Sequence, residues 1–461
     1  MTESPLGVVA ELVLLLAVIL VAAKIGGELF ERYLRIPPVL GELGAGILIS
    51  PFALGGIEIG SFGPIFAIPS VVHVAGGAVS EIDSILPVEP QLFFISQVAA
   101  IVLLFEAGLE TNRQQFFRFI RPAAAVATGG VLLPFALGFG ATIALGYASL
   151  DSLQDALPAL FVGAIMTATS VGITARVLAD IRQLGSPEGV TVLAGAVIDD
   201  VLGIIVLAVV VGISEEGAVT AGSIAVIFAK AVGFWLGLTL IGSLVAGRIS
   251  RMALWFRSSG SAVGIALGLA FLAAGVAEVY FGLAMIIGSY SMGLALSETE
   301  LKHRVEEPMR LINMFLVPVF FVVIGMQVDI TAFGSAAGGH TLIENIVFAV
   351  ILTVFAIVSK VAGSGLPALW VGFNRRGAWR IGLGMLPRGE VALIVAGIGL
   401  AAGVIERDIF GIAIVMTIIT TVISPIFLVP AFRGASGLRS GESEPGGATA
   451  GPPNGAGGPE G

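Results

Sequence analysis

The sequence predicts an all-α polytopic membrane protein with thirteen transmembrane helices, and three observations lead to this prediction. Hydrophobic residues make up 56% of the 461 residues and charged residues 12%, against roughly 45–50% and 25% in soluble proteins. Apolar stretches of about 20 residues, the length needed to cross a bilayer as a helix, recur along the chain. Basic residues collect in every second connection between these stretches, as the positive-inside rule requires.

The composition also excludes several classes of protein. A mean hydropathy of +1.02 leaves too little charge to cover several soluble domains. The formal charge of −9 comes without a basic patch, so we expect no nucleic-acid partner. The sequence contains no cysteine, which excludes disulfides and thiol catalysis. It also lacks phosphate-binding glycine motifs. We therefore expect no enzyme activity, no cofactor and no nucleotide-binding domain.

The thirteen apolar segments follow one another from the N-terminus almost to the C-terminus. Their approximate limits are 6–23, 36–54, 91–109, 122–146, 157–177, 189–211, 219–246, 261–279, 280–296, 311–327, 345–371, 381–402 and 409–430. Residues 1–430 thus form one membrane domain.

The charges in the connections predict the orientation of the chain. Of the 23 Lys and Arg residues, 19 follow odd-numbered segments: Lys24, Arg32, Arg35, Arg113, Arg118, Arg121, Arg176, Arg182, Arg248, Arg251, Arg257, Lys302, Arg304, Arg310, Arg375, Arg376, Arg380, Arg433 and Arg439. The opposite connections contain Arg407 and many acidic residues. This alternation predicts an N-terminus outside and a C-terminus inside the cell.

Two stretches fall outside the spans. Residues 56–90 form a long outer connection with its own apolar run, which we interpret as an extracellular cap or interfacial hairpin, because another span here would reverse every later loop. Residues 434–461 contain 10 glycines and 4 prolines and almost no large apolar side chains. We expect this cytoplasmic tail to be disordered.

Thirteen spans divide into two six-helix repeats around a linker helix, and the odd linker inverts the second repeat relative to the first. Under this division the fifth segment corresponds to the twelfth. The fifth contains the polar interruption TATSVG at 167–172, with Thr167, Thr169 and Ser170, and the twelfth contains GMLPRGE at 384–390. Interrupted helices in corresponding positions predict two crossing broken helices at a binding site near the membrane midplane.

Adjacent carboxylates lie near the middle of the sixth segment. Asp199 and Asp200 are flanked by strongly apolar sequence on both sides. A charged side chain at the bilayer centre costs about 2.5–3.5 kcal/mol on insertion scales, so such residues are functional candidates. Neighbours on a helix point about 100° apart. We therefore expect one aspartate to face a cavity and the other to face a different partner.

Other charged residues in apolar segments are candidates for supporting roles. Lys360 in the eleventh segment is the obvious partner for an aspartate and could carry a proton. Arg388 and Glu390 lie at the break in the twelfth segment and could hold neighbouring elements in place. Glu106 in the third segment either supports the core or lies near the inner interface.

Six motifs in this order resemble the monovalent cation:proton antiporter-2 family, particularly its two-aspartate prokaryotic sodium/proton antiporters. The motifs, within a resemblance covering about residues 8–430, are PVLGELGAG at 38–46, LFEAGLE at 104–110, TATSVG at 167–172, DD at 199–200, KVAG at 360–363 and GMLPRGE at 384–390. The resemblance implies a homodimer in the prokaryotic plasma membrane, with a core domain that moves relative to a dimerisation domain.

The resemblance also implies roles for individual residues. Asp200 would bind Na+, and Thr169 and Ser170 would lie at the crossing of the broken helices beside the ion. Asp199 would pair with Lys360. The implied function is exchange of Na+ or Li+ for protons by alternating access, with Asp200 binding either a cation or a proton. An electrogenic cycle is favoured.

Four other functions remain to be compared with this one. They are K+/H+ exchange within the same family, sodium-coupled solute symport on the same fold, an intramembrane aspartyl protease, and a gated cation channel. A protease needs two aspartates converging on one water, usually from different helices, so adjacent aspartates argue against it. Broken helices together with coupled titratable groups favour a carrier over a channel.

Overall fold

The computed structural model describes residues 5–34, 37–58, 63–75, 78–83, 87–216, 221–256, 258, 260–329 and 340–439. Within these ranges the chain forms fifteen α-helices and one hairpin of two strands. The helices are α1 Pro5–Leu29, α2 Pro38–Ile49, α3 Pro90–Glu110, α4 Arg113–Ala144, α5 Leu157–Thr167, α6 Val171–Asp180, α7 Pro187–Glu216, α8 Ala221–Trp255, α9 Ser261–Phe281, α10 Met285–Leu296, α11 Glu300–Met326, α12 Leu342–Trp370, α13 Arg375–Gly384, α14 Glu390–Ala401 and α15 Arg407–Ala431.

Eleven helical segments in the described ranges are long and apolar enough to cross a membrane. The predicted segments 280–296 and 381–402 correspond to shorter helices, namely α10 and the pair α13 and α14. The predicted segment 157–177 is also divided, into α5 and α6. A multi-pass helical membrane protein is therefore confirmed at the level of helix length and apolarity.

Several helices begin earlier than the apolar pattern predicts, because the chain places its capping residues outside the apolar run. Helix α4 begins at Arg113, where the Asn112 side chain accepts a hydrogen bond from the Gln115 amide at 2.9 Å. Helix α12 begins after Thr341, which forms a reciprocal capping box with Glu344. Such caps satisfy amides that have no partner within the helix.

The helices pack as two interleaved groups. One group contains α4, α5, α6, α7 and α12 to α15, and the other contains α1 to α3 and α8 to α11. We call these the core group and the scaffold group. They meet where α6 packs against α2 and α3 and where α7 packs against α8. Any cavity at this boundary has walls from both groups.

The connection between α2 and α3 contains the two strands. Strands β1 (Ser70–Ala75) and β2 (Ala78–Asp83) pair antiparallel, with Ser70 opposite Asp83 and Ala75 opposite Ala78. A hairpin can satisfy its backbone polar groups outside the bilayer without crossing it. The fold is therefore helical apart from this hairpin.

The C-terminal segment begins against the membrane domain. Disorder was predicted from residue 434 onwards, and residues 434–439 lie against the loop between α12 and α13. The Asn374 amide donates to the Gly437 carbonyl at 2.9 Å, and Leu438 is buried in a bridge with Phe373. These backbone bonds hold the segment despite its glycine-rich composition. The rest of the predicted tail, 440–461, lies outside the described residues.

Candidate ion-binding site

The site is built around two breaks in helices of the core group. Residues 168–170 interrupt the path from α5 to α6, and residues 385–389 interrupt the path from α13 to α14. The Ser170 amide donates to the Pro387 carbonyl at 2.7 Å, and the Thr174 hydroxyl donates to the Gly384 carbonyl at 2.7 Å. The two unwound segments therefore satisfy part of each other's backbone, which irregular backbone within a membrane requires.

Gly389 permits this close approach. A Cβ atom at position 389 would lie 2.9 Å from the Ser170 hydroxyl oxygen and 3.0 Å from the Ser170 Cβ. These distances are tighter than ordinary van der Waals contact. Any side chain at this position would push the two breaks apart.

Arg388 fixes the end of α5. Its side chain is fully buried, and Nη2 donates to the Met166 carbonyl at 2.7 Å. Carbonyls in the last turn of a helix have no partner within it and are the negative end of the helix dipole. The buried Arg388 guanidinium donates a hydrogen bond to such a carbonyl, and it places a positive charge at the negative end of the helix dipole. The Thr421 hydroxyl of α15 in turn donates to the Arg388 carbonyl.

Lys360 uses all three of its N–H donors. Nζ donates to the Gly130 carbonyl at 2.8 Å, to the Thr167 carbonyl at 2.7 Å, and to Asp199 at 2.9 Å for Oδ1 and 3.2 Å for Oδ2. Both carbonyls lack a helical partner. Thr167 is the last residue of α5, and Gly130 precedes by four residues Pro134, which has no N–H.

The predicted ion pair between Asp199 and Lys360 is present, and it is sealed from solvent. The side chains of Lys360 and Asp199 are 0% and 1% exposed. The Thr169 hydroxyl lies within reach of both Asp199 and the Met385 carbonyl, 3.3 Å away. A buried ion pair is stable only where further hydrogen bonds compensate for lost hydration, and here the backbone of α4 and α5 supplies them.

Asp200 faces a small cavity of about 50 Å³. The residues lining it are Ala164, Thr167, Ala168, Asp199, Asp200, Gly203, Ile204, Leu207, Ala284, Val391 and Val395. A single water needs roughly 10–15 Å³ by this kind of measure, so the cavity has room for a cation with a few waters. Ala284 belongs to the turn between α9 and α10, so the scaffold group forms part of the wall.

The structure separates the predicted site residues into two sets. Asp199, Asp200 and Thr167 line the cavity, whereas Thr169 and Ser170, both predicted to lie beside Na+, are not among its lining residues. Both are buried at the contact between the breaks. They lie at the crossing of the two breaks, and their role beside Na+ stays a prediction.

Two further predictions have different outcomes. Glu106 is away from the cavity: the Asn313 amide of α11 donates to its carboxylate, so the pair joins α3 to α11 within the scaffold group. Both predicted alternatives for Glu106, support of the core and a place near the inner interface, stay predictions. Glu390 begins α14, but its side chain lies outside the described residues.

The sequence interpretation missed a second buried ion pair. Arg380 was counted as a loop charge, but it is 3% exposed and pairs with Glu188 at the start of α7. Arg380 also donates to the Ala431 and Ala435 carbonyls at 2.9 and 3.0 Å, and the Gly437 amide donates to Glu188 at 2.9 Å. The available signal was a pair of opposite charges near the starts of two helices, Glu188 in the first turn of α7 and Arg380 in the second turn of α13.

Tyr147 is a titratable residue outside the membrane-spanning segments, in the loop after α4. The Tyr147 hydroxyl donates to Asn345 at 2.7 Å, and its ring stacks on His340 with centroids 3.9 Å apart. Burial, followed by the charges of Asp408 and Glu344, raises the pKa of Tyr147 to about 12. Tyr147 therefore remains protonated at physiological pH and can donate to Asn345.

Comparison with known proteins gives consistent matches over nearly the whole chain. The family model described as "Sodium/hydrogen exchanger, transmembrane" matches residues 14–434. The high-affinity Na+/H+ antiporter NhaS3 of Synechocystis is 37% identical, over 93% of this chain and 91% of that protein. The Na+/H+-K+ antiporter GerN of Bacillus cereus is 34% identical, over 90% of this chain and 94% of that protein.

A solved structure shares the fold. The sodium proton antiporter MjNhaP1 from Methanocaldococcus jannaschii superposes with a TM-score of 0.65 at 17% sequence identity, over 93% of this chain and 96% of that chain. At this identity the likeness concerns the fold alone.

Proposed function

The chain belongs to the sodium/hydrogen exchanger family, and from this premise we propose that it exchanges Na+ or Li+ for protons across the membrane. The observation that carries the proposal is the cavity beside Asp200, with the buried Asp199–Lys360 pair at its wall. In this arrangement the Asp200 carboxylate can contact a cation in the cavity, while the Asp199 carboxylate is paired with the Lys360 ammonium.

Competition at Asp200 couples the two fluxes. A carboxylate in this cavity binds a proton or a cation, and neither binds well when the other is present. Each occupied form can be carried across, while the empty charged form is held back by the cost of moving a bare charge through apolar surroundings. Cation and proton therefore cross in opposite directions.

The packing of the two helix groups supports a proposal of alternating access. The carboxylates and both breaks belong to the core group, whereas Ala284 closes the cavity from the scaffold group. A shift of the core group against the scaffold would open the same cavity first to one side and then to the other. The scaffold would supply the contact of a homodimer.

The full topology is part of the proposal. We assign thirteen crossings, with α10 and the broken pair α13 and α14 as the two short ones, an outer N-terminus and an inner C-terminus in the plasma membrane. The distribution of Lys and Arg supports this orientation. The two interleaved groups agree with two inverted repeats of six around a linker, which is α8 in this division.

Lys360 makes the cycle electrogenic. When Na+ enters beside Asp200, Asp199 is drawn toward the ion and away from Lys360. A buried ammonium without its carboxylate is unfavourable, so Lys360 releases its proton. Together with the proton displaced from Asp200, two protons then exchange for one Na+, and each cycle moves one net charge.

The ion selectivity can be tested in proteoliposomes that contain the full chain and a trapped pH dye. Addition of Na+ or Li+ to the outside should cause proton movement, and choline should cause none. Exchange of K+ is the second candidate, because the name of GerN includes K+. A response to K+ alone would replace the Na+ assignment, and no response to any alkali cation would contradict the proposed function.

The charge movement needs a separate experiment. Valinomycin and a K+ gradient impose a membrane potential in liposomes while Na+-driven proton flux is recorded. The electrogenic cycle predicts that the rate changes with the sign of the potential. Equal rates at both signs would contradict two-for-one exchange. In the Lys360→Gln variant, activity should be lost or the residual exchange should no longer respond to the potential.

Solute symport is less compatible with the cavity. Its volume of about 50 Å³ holds an ion with a few waters, whereas organic ligands occupy pockets of roughly 300–1,000 Å³. The site therefore supports a monovalent cation as the transported species.

A further inference from the structure

An apolar groove runs along the exposed flank of the core group, away from the cavity of Asp200. Helices α12 and α15 form its walls, and α13 lies beneath it. Its volume is about 640 Å³. Val358, Leu366 and Phe427 stand 52–54% exposed along it, while Leu383 and Leu386 are buried at its base.

One end of the groove differs in chemistry from the rest. Arg375, the first residue of α13, is the one charged residue that lines it, and Trp379 lies one turn further along. Arg375 is exposed and makes no ion pair or hydrogen bond to the residues that the structure describes. A tryptophan beside an arginine at a helix end is typical of the boundary between lipid headgroups and hydrocarbon.

The length of the groove corresponds to one leaflet of a bilayer. Along α12 it extends from Ile357 to Leu369, and twelve residues of helix rise about 18 Å. Half of the hydrocarbon core is about 15 Å thick. An acyl chain that enters beside Arg375 would therefore reach the membrane midplane. There it would meet Leu386, which is part of the break between α13 and α14.

We propose that this groove binds one phospholipid with an anionic headgroup. The phosphate lies on the Arg375 guanidinium, with the glycerol region beside Trp379, and an acyl chain follows α12 down to Leu386. Two properties specify this occupant: the wall is apolar over the depth of one leaflet, and its charged residue is positive and unpaired within the described chain. Basic pockets between membrane helices bind anionic headgroups in this way.

The bound lipid would contact the core group, which is the part of the protein proposed to move. Helix α12 presents Ile357 and Val361 to the groove and Lys360 to the interior, so one helix contacts the lipid on one face and Asp199 on another. The site lies on the core group, not on the scaffold group that would form the dimer contact. The inference concerns lipid binding and does not depend on which ion is exchanged.

Native mass spectrometry of the full chain tests the proposal. The purified protein is equilibrated with mixed micelles of phosphatidylglycerol and phosphatidylcholine, and the lipids retained per protomer are counted as detergent is removed. We expect one phosphatidylglycerol to be retained preferentially. Arg375→Gln should reduce the preference about fivefold, since one arginine near the surface contributes about 1 kcal/mol.

Two further variants distinguish the groove from general attraction between charges. Arg310→Gln removes an exposed arginine of α11 that does not line the groove, and it should leave the preference unchanged. Ala362→Phe fills the groove and should reduce the retention of both lipids. The proposal is overturned if the wild-type protein shows no preference, if Arg375→Gln and Arg310→Gln have equal effects, or if Ala362→Phe retains lipid like the wild type.

Discussion

Lys360 holds three different elements together through one nitrogen atom. It joins α4 through the Gly130 carbonyl, α5 through the Thr167 carbonyl, and α7 through Asp199. Replacing both partners of a buried ion pair by apolar residues can cost little, but removing one partner leaves its hydrogen-bonding groups unpaired. Here two carbonyls and a carboxylate would lose their donor at the same time.

Removal of the lysine charge should therefore destabilise the protein. Lys360→Met leaves Asp199 buried without its partner, and breaking a buried pair from one side costs about 3–5 kcal/mol. We expect the midpoint of thermal unfolding in detergent to fall. The double variant Asp199→Asn with Lys360→Met should recover part of the loss, because the uncompensated charge is gone.

A lysine on another helix provides the control for this experiment. Lys230→Met removes an exposed lysine of α8 and should leave the unfolding midpoint close to that of the wild type. If Lys360→Met is as stable as Lys230→Met, the ion pair does not stabilise the core as described.

The contact between α4 and α12 determines where Lys360 can reach. Gly129 of α4 lies against the Gly363 carbonyl of α12, and a Cβ atom at position 129 would collide with that oxygen. Small residues allow membrane helices to approach through their backbones. The next residue in α4 is Gly130, whose carbonyl accepts from Lys360. Close packing and the ion site thus depend on one contact.

A pair of glycine variants in α4 separates this contact from general effects on the helix. Gly129→Val should force α4 and α12 apart and cost about 1–3 kcal/mol, as overpacking typically does. Gly140→Val is the matched control, because position 140 of the same helix faces open space. Thermal unfolding and Na+-driven proton flux should both fall for the first variant only. Equal losses in both variants would contradict this role of the α4–α12 contact.

The breaks were predictable from sequence at the level of elements, but their contacts were not. Polar residues at 167–172 and the Pro-Arg pair at 387–388 interrupt apolar runs, and this pattern correctly marked both broken helices. Side-chain direction is lost where the helix unwinds, because the 3.6-residue period no longer applies. For this reason the pattern marked Thr169 and Ser170 as residues of the break, but it could not identify the Met385 and Pro387 carbonyls as their hydrogen-bond acceptors.

The acceptors of Lys360 are backbone carbonyls, which carry no side-chain signal. One sequence feature nevertheless indicated the Gly130 carbonyl. Pro134 lies inside α4 and cannot donate to Gly130, so a free carbonyl was to be expected one turn before it. The ion pair itself was predictable, because Asp199 and Lys360 are expensive to bury alone.

At the scale of the whole molecule, the cavity lies where the two helix groups meet. Its carboxylates come from the core group and Ala284 comes from the scaffold group. The division into two groups follows from which helices pack together, and the apolar pattern of the single segments does not specify this packing. Neither the buried pair of Arg380 and Glu188 nor the packing of residues 434–439 was predicted, because both depend on tertiary contacts and not on local composition.

Competition between protons and Na+ predicts a dependence on pH. As the pH falls, protons occupy Asp200 and fewer sites are free for Na+. The apparent KM for Na+ should rise, approaching tenfold per pH unit in the fully competitive limit for one proton. The measurement is the Na+ dependence of proton flux at a series of pH values. A KM that stays constant over the whole range would contradict competition at one carboxylate.

The central claim is that the Asp200 carboxylate binds either the cation or the proton, one at a time. Its most direct test compares Na+-driven proton flux in proteoliposomes for the wild type, Asp200→Asn and Asp151→Asn, the last removing an exposed aspartate between α4 and α5. The amide keeps the shape of the side chain but cannot exchange a proton, so Asp200→Asn should remain folded, by thermal unfolding, and show no Na+-dependent flux. Asp151→Asn should transport like the wild type. Exchange at the wild-type rate in Asp200→Asn would contradict the account.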